Sequence, residues 1–155
     1  DAFELIWNKG VNKKLLIVGK QGWCVETLTR RIKKHPQFNK NLIWLEDCSD
    51  EFLQELYDNC KGLVAASWAE GYGLPLIEAF SSGLPVFCRD IPVFREIAEK
   101  FATFFSSSTP EDFLGQFQKW ELSLNSQVNT KSDSVESICW KKATKELEKL
   151  TVKND

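Results

Sequence analysis

Methionine is absent from the 155 residues, and histidine occurs once, as His35. Without methionine the chain carries no initiator, so it reads as a processed product or as a piece excised from something longer. A lone histidine removes most zinc patterns, which draw on several His and Cys ligands. Cysteine is present but unorganised: Cys24, Cys48, Cys60, Cys88 and Cys139 are odd in number, irregularly spaced and without a C-x-x-C pair. That spacing predicts neither a metal site nor a disulfide framework. Each cysteine lies in or near an apolar segment, as expected of small reduced thiols in a reducing compartment. No apolar run reaches membrane-spanning length, and no secretory leader pattern is visible, so no transmembrane segment is expected. Nor does one sign of charge prevail: 20 basic residues face 22 acidic ones, for a net charge of −2. A nucleic-acid binder would show a basic footprint, so no nucleic-acid partner is expected. The short clusters Lys33-Lys34-His35 and Lys141-Lys142 read as solvated helix faces. His35, just before Pro36, reads as a surface residue at a helix end.

What the chain does have is apolar sequence, 43% of it, enough for a substantial core in one domain. Short apolar runs alternate with segments of helical spacing. Strands are expected at Leu15 to Val18, Leu42 to Leu45, Gly62 to Ser67, Leu84 to Cys88 and Ala102 to Phe105. Helices are expected over Asp1 to Lys9, from near Trp23 to before Pro36, and after Ser49, which would cap a helix carrying Phe52, Leu53, Leu56, Tyr57 and Cys60 on one face. Further helices follow from Leu74, from Arg89-Asp90-Ile91-Pro92 and from Thr109-Pro110-Glu111-Asp112, a capping-box pattern. This alternation predicts an α/β fold: a Rossmann-like three-layer domain over residues 1–124, with a mainly parallel sheet of about five strands. Residues 125–133 read as a polar linker, 134–150 as a last helix and 151–155 as a frayed tail.

The stretch from Ala69 to Gly83 organises the rest. It follows the third strand, and Gly71 and Gly73 allow a sharp turn close to a ligand. Pro75 suits the first helical position, where its missing N–H costs nothing. Strand, glycine loop and helix N-terminus together favour an anion, because unpaired amides and the helix dipole converge there. Glu70 and Glu78 flank that site, and carboxylates accept hydrogen bonds from sugar hydroxyls. A nucleotide or sugar phosphate fits this arrangement. The plainer alternative makes Glu70 a solvated loop charge and Glu78 a complement to the helix dipole. Gly19 and Lys20 end the first strand at another strand-to-helix turn, where Lys20 either meets a phosphate or is a solvated loop lysine. In parallel sheets ligands bind beyond the strand carboxyl ends, so one cleft shared by both turns is expected.

Glu70-Gly71-Tyr72-Gly73-Leu74-Pro75, Glu78-Ala79 and Gly83-Leu84-Pro85-Val86 resemble the signature of retaining glycosyltransferases with the two-Rossmann-domain GT-B architecture, specifically family 4, the glycosyl transferases group 1. Leu15 to Lys20, Leu56-Tyr57 and Asp90-Ile91-Pro92-Val93-Phe94-Arg95-Glu96 match in order and spacing, so the resemblance runs from about Phe3 to Trp140. It favours the excised piece over the processed product, and it covers only the C-terminal, donor-binding half. The resemblance implies a hexosyltransferase of polysaccharide biosynthesis that uses a nucleotide-diphosphate sugar as donor, with a glycan or lipid-linked saccharide as acceptor. It implies that Glu78 holds the ribose hydroxyls, and that Glu70 contacts the transferred sugar as the catalytic group. The amides of Gly71, Tyr72, Gly73 and Leu74 would face diphosphate or sugar, with Gly19 and Lys20 assisting at the phosphates. No cofactor and no metal are implied. The full-length parent would be cytoplasmic or peripheral at the inner membrane face.

The chain departs from the family at its start. The family's preceding strand, central in the sheet and bearing a phosphate-binding arginine and lysine, has no counterpart before Asp1. The sheet is therefore expected to close without it or to change. The acceptor domain is the implied missing partner, and the isolated chain is expected to be inactive. The last helix would need cover from this domain or from a second copy. Three other functions are weighed beside transfer: a non-catalytic nucleotide-binding module, a glycoside hydrolase using Glu70 and Glu78, and a structural interaction domain. A diphosphate-binding turn has no purpose in the hydrolase, and the interaction domain gives no reason for the signature loop.

Overall fold

The computed structural model describes residues 1–98 and 100–126. Cys139, most of the expected linker and the expected last helix and tail lie outside these residues. The described elements run α1 (Ala2–Asn8), β1 (Leu15–Val18), α2 (Glu26–Lys33), β2 (Leu42–Leu45), α3 (Asp50–Asn59) and β3 (Leu63–Ala65). They continue α4 (Leu74–Ser81), β4 (Val86–Arg89), α5 (Pro92–Ala98), β5 (Ala102–Phe105) and α6 (Pro110–Ser126). The strict alternation and the parallel pairing make this an α/β fold of the Rossmann type.

The described residues divide into two compact units, 1–56 with 107–118 and 57–106 with 119–126. In the first, β1 pairs with β2 in parallel, Leu15 opposite Leu42 and Val18 opposite Leu45. In the second, β4 lies between β3 and β5, all parallel, with Val86 opposite both Leu63 and Ala102. The five strands thus form a two-stranded and a three-stranded sheet, instead of the single sheet expected.

In the second unit Leu76, Ala79, Phe80, Leu84, Val86, Cys88, Phe94 and Ala98 form one buried cluster. β4 is its spine, buried at Val86, Phe87 and Cys88 alike, so it reads in sequence as an unbroken apolar run. Phe87 packs on Phe105 at 4.7 Å between ring centroids and stacks on Trp120 at 5.0 Å. In the first unit the rings of Phe3 and Phe117 meet at 5.7 Å, and Ile6 and Leu42 are buried. There Arg31 pairs with Asp1 and Glu4, and the largely covered His35 ring lies 3.4 Å from Glu4, beside that ion cluster.

Local signals explain most boundaries. The Ser49 hydroxyl accepts from Phe52 N–H at 3.3 Å, and the Thr109 hydroxyl from Asp112 N–H at 3.2 Å, as N-caps do. α4 ends in a Schellman turn: Gly83 N–H donates to Phe80 C=O, Leu84 N–H to Ala79 C=O, and Gly83 takes φ +67°. Several boundaries moved: β3 is only Leu63–Ala65, short of the expected Gly62 to Ser67, and β4 begins at Val86 rather than Leu84. α2 starts at Glu26 rather than near Trp23, because Cys24 adopts a left-handed φ of +54°. Arg89 is the last residue of β4, not the opening of α5, and its backbone faces Phe105 across the ladder. α6 continues through Asn125 and Ser126, two residues into the expected linker.

Candidate functional site

β3 ends at Ala65, and residues 66–73 carry the backbone from the sheet to α4. Gly73 is the N-cap of α4, with φ +67° and ψ +35°. It is buried, and a Cβ there would come 2.9 Å from Ile97 Cδ1 and 3.4 Å from Phe94 Cε1. Glycine is therefore required twice over at this position, by backbone handedness and by close approach. Gly71 is different: it is exposed, has no left-handed φ, and its Cβ would meet nothing within 4 Å. Pro75 stands one residue inside Leu74, at the second rather than the first helical position, still within the turn whose amides lack intrahelical partners.

No side chain caps α4. The amides of Gly73 and Leu74 have no hydrogen-bond partner among the described residues, while Leu76 N–H bonds to Gly73 C=O at 2.9 Å. Those two open amides at the positive end of an eight-residue helix form a place for an anion. Tyr72 and Leu74 are exposed beside them. Glu70 is exposed, and its Oε1 accepts from Gly71 N–H at 3.2 Å, so the Gly71 amide is engaged by the neighbouring carboxylate.

Glu78 is also exposed, one turn inside α4. Its Oε2 accepts a 2.8 Å hydrogen bond from the Tyr57 hydroxyl, which comes from α3. Tyr57 is half-buried, and burial together with the Glu78 charge raises its phenol above the ordinary tyrosine range. The pairing was not legible in the sequence. Tyr57 belongs to the apolar stripe of α3, and no periodicity connects it to Glu78.

Two further side chains frame the loop. The Arg89 guanidinium lies 3.6 Å from the centroid of the Trp68 ring, and its Nε donates to Ala66 C=O at 3.0 Å. Trp68 is nevertheless 75% exposed. Arg89 thus ties the end of β4 to the strand-to-loop junction of β3, a role that an arginine expected at a helix start did not signal. Beyond it, Arg95 grips both carboxylate oxygens of Asp90 at 2.7 Å and holds that carboxyl below its usual range.

Gly19 and Lys20 belong to the first unit. Gly19 has φ +128°, its N–H donates to Leu45 C=O, and its carbonyl accepts from Trp44 Nε1 at 2.8 Å. Lys20 is exposed and has no ion-pair partner among the described residues. Trp23, three residues on, is 97% exposed. No group of three or more His, Cys, Asp or Glu side chains forms a metal cluster among the described residues, and no described helix is long and apolar enough to cross a membrane.

Solved structures resemble this fold. The pneumococcal O-GlcNAc transferase GtfA, solved with UDP and GlcNAc, superposes with a TM-score of 0.57 over 95% of this chain and 32% of its own, at 20% identity. A GtfA/B complex gives 0.54 over 96% of this chain and 32% of its own, at 24% identity. The fold is thus that of a Rossmann-like half of a GT-B glycosyltransferase. Among curated proteins, the serotype-specific mannosyltransferase WbdA of Escherichia coli is 45% identical over 146 residues, which is 94% of this chain and 18% of that protein. The O-antigen chain mannosyltransferase RfbU of Salmonella typhimurium is 28% identical over 107 residues, 69% of this chain and 29% of that protein. The chain spans less than a third of the length of these curated relatives. The family described as glycosyl transferases group 1 matches residues 1–134, and the chain belongs to that family.

Proposed function

We propose that this chain is the donor-binding domain of a retaining, family 4 glycosyltransferase that transfers a sugar from a nucleoside-diphosphate sugar to a growing glycan. The observation that carries the reading is the loop itself: two open amides at the start of α4, with Glu70 before them and Glu78 one turn after. The Gly73 and Leu74 N–H groups donate to the diphosphate. Glu78 holds the ribose hydroxyls on one side, and Glu70 faces the transferred sugar on the other. Positive charge grows on that sugar as its bond to phosphate breaks, so a fixed carboxylate is worth more in the transition state than in the ground state. Departing negative charge is met by these fixed amides. The mannosyltransferase relatives support mannose as the sugar. The odd number and irregular spacing of the cysteines favour a cytoplasmic setting. Catalysis belongs to the full-length protein, because transfer needs donor and acceptor held together in one closed cleft.

The test replaces each glutamate by glutamine in the full-length protein, keeping shape and removing charge. Glu70→Gln is expected to lower turnover about 100-fold with little change in donor affinity, the loss typical of one transition-state electrostatic contact. Glu78→Gln is expected to weaken donor affinity about 10-fold, as removal of hydrogen bonds to a charged group does. The 155-residue chain assayed alongside should form no product. Wild-type affinity and turnover in both variants, per folded molecule, would remove the assignment.

A further inference from the structure

Glu78 is an exposed side chain with three rotatable bonds, and holding such a chain in one rotamer costs conformational entropy. A ligand that had to order it would bind more weakly. In this structure it is already held: the Tyr57 hydroxyl donates to Oε2 at 2.8 Å. Oε1 has no partner among the described residues. The two side chains sit on separate helices, α3 and α4, rather than on the loop between β3 and α4. Sites mounted on helices keep their geometry better than sites built from loops.

We propose that Tyr57 is a positioning residue: it fixes the Glu78 carboxylate so that the remaining lone pairs accept a pair of neighbouring hydroxyls, the diol of a nucleoside ribose. This rests on the reading of Glu78 given above. The chemistry fits a division of labour. An ionised carboxylate accepts only, with roughly four lone-pair directions. Tyr57 occupies one on Oε2, which leaves both lone pairs of Oε1 and one of Oε2 for ligand donors. The phenol is suited to the task because it stays protonated throughout the physiological range, held so by burial and by the negative charge it faces. A phenylalanine keeps the ring in the α3 stripe and loses this contact alone.

The experiment is calorimetry on the full-length protein with whichever of UDP, GDP and ADP binds tightest, and with the 2′,3′-dideoxy form of the same nucleotide. Tyr57→Phe is expected to weaken binding of the diphosphate about 5–10-fold, the size of one hydrogen bond to a charged group. It is expected to change binding of the dideoxy form less than twofold, since that ligand has no diol to present. In a Glu78→Gln background, Tyr57→Phe should add less than twofold. A wild type that discriminates between the two ligands and a Tyr57→Phe variant that discriminates equally would overturn the proposal alone. Equal weakening of both ligands would also overturn it, as the mark of a structural role. A wild type that binds both ligands equally, or none of the three diphosphates, would remove the Glu78 reading, and the proposal with it.

Discussion

β4 is buried along its length, at 2% exposure or less for Val86, Phe87 and Cys88, while β1 is half-buried at best and ends on an exposed Val18. The difference follows from pairing. β4 has a strand on each side and helices packed against it; β1 has one neighbour, β2, whose own residues past Leu42 are half-covered. The loop bearing Glu70, Gly73 and the start of α4 is built on the denser of the two sheets. The turn bearing Gly19 and Lys20 is built on the sparser one and is tethered by the Trp44 indole. A charge that must stay where a transition state will need it gains from a support that cannot relax.

The largest expected effect tests that contrast directly. Phe87→Ala removes a ring packed between Phe105 and Trp120, and should cost about 3–5 kcal/mol. Leu42→Ala, in the less covered sheet, should cost about 2–3 kcal/mol, the low end for such truncations. Urea unfolding of both variants checks the order. Equal costs would mean that the two sheets are equally packed in solution.

A second comparison narrows to one loop. Gly73→Ala should destabilise by about 1–2 kcal/mol from left-handed backbone strain, and more if Ile97 cannot move aside. Gly71→Ala should stay within about 0.5 kcal/mol of wild type, because an exposed site with ordinary φ tolerates a methyl group. Melting temperatures suffice to separate these two, and a reversed order would show that the wedge at Gly73 is not what holds the loop.

The last effect is absent at neutral pH and appears only in alkali. Burial pushes the Cys88 thiol from 9.0 up to about 12. Below the lower value the thiol is neutral in both folded and unfolded chains, and its contribution to stability is fully present. As pH rises from about 9 towards 12 the unfolded chain ionises first, so stability falls. Urea midpoints measured from pH 8 to pH 11 should decline for wild type and decline less for Cys88→Ala. Parallel curves would show that Cys88 does not contribute.

Much of this was legible because local chemistry fixes it. β1, β2 and β5 lie where short β-branched and aromatic runs put them, and α4 lies between Gly73 and the Gly83 turn as its punctuation implies. Pairing was not legible: nothing within Leu15–Val18 or Leu63–Ala65 says how many neighbours each strand will have, so two sheets replaced the expected one. Likewise Gly71 and Gly73 look alike as letters, and only the approach of Ile97 and Phe94 distinguishes them. The Tyr57–Glu78 and Arg89–Trp68 contacts join residues 21 apart in each case, through tertiary packing that no periodicity encodes.

α6 supplies Phe117 to the ring of Phe3 and Trp120 to the ring of Phe87, a bare turn apart on one helix. During synthesis, then, α1, the first of the described elements, waits for α6, the last of them. β4 can emerge and pair with β3 and β5 while Phe87 still lacks its stacked partner, and α1 remains uncovered by Phe117 over the same interval. While Phe105 has left the ribosome and Leu114 is still inside its exit tunnel, both aromatic clusters stand open to chaperones, and the next turns of one helix hide them together.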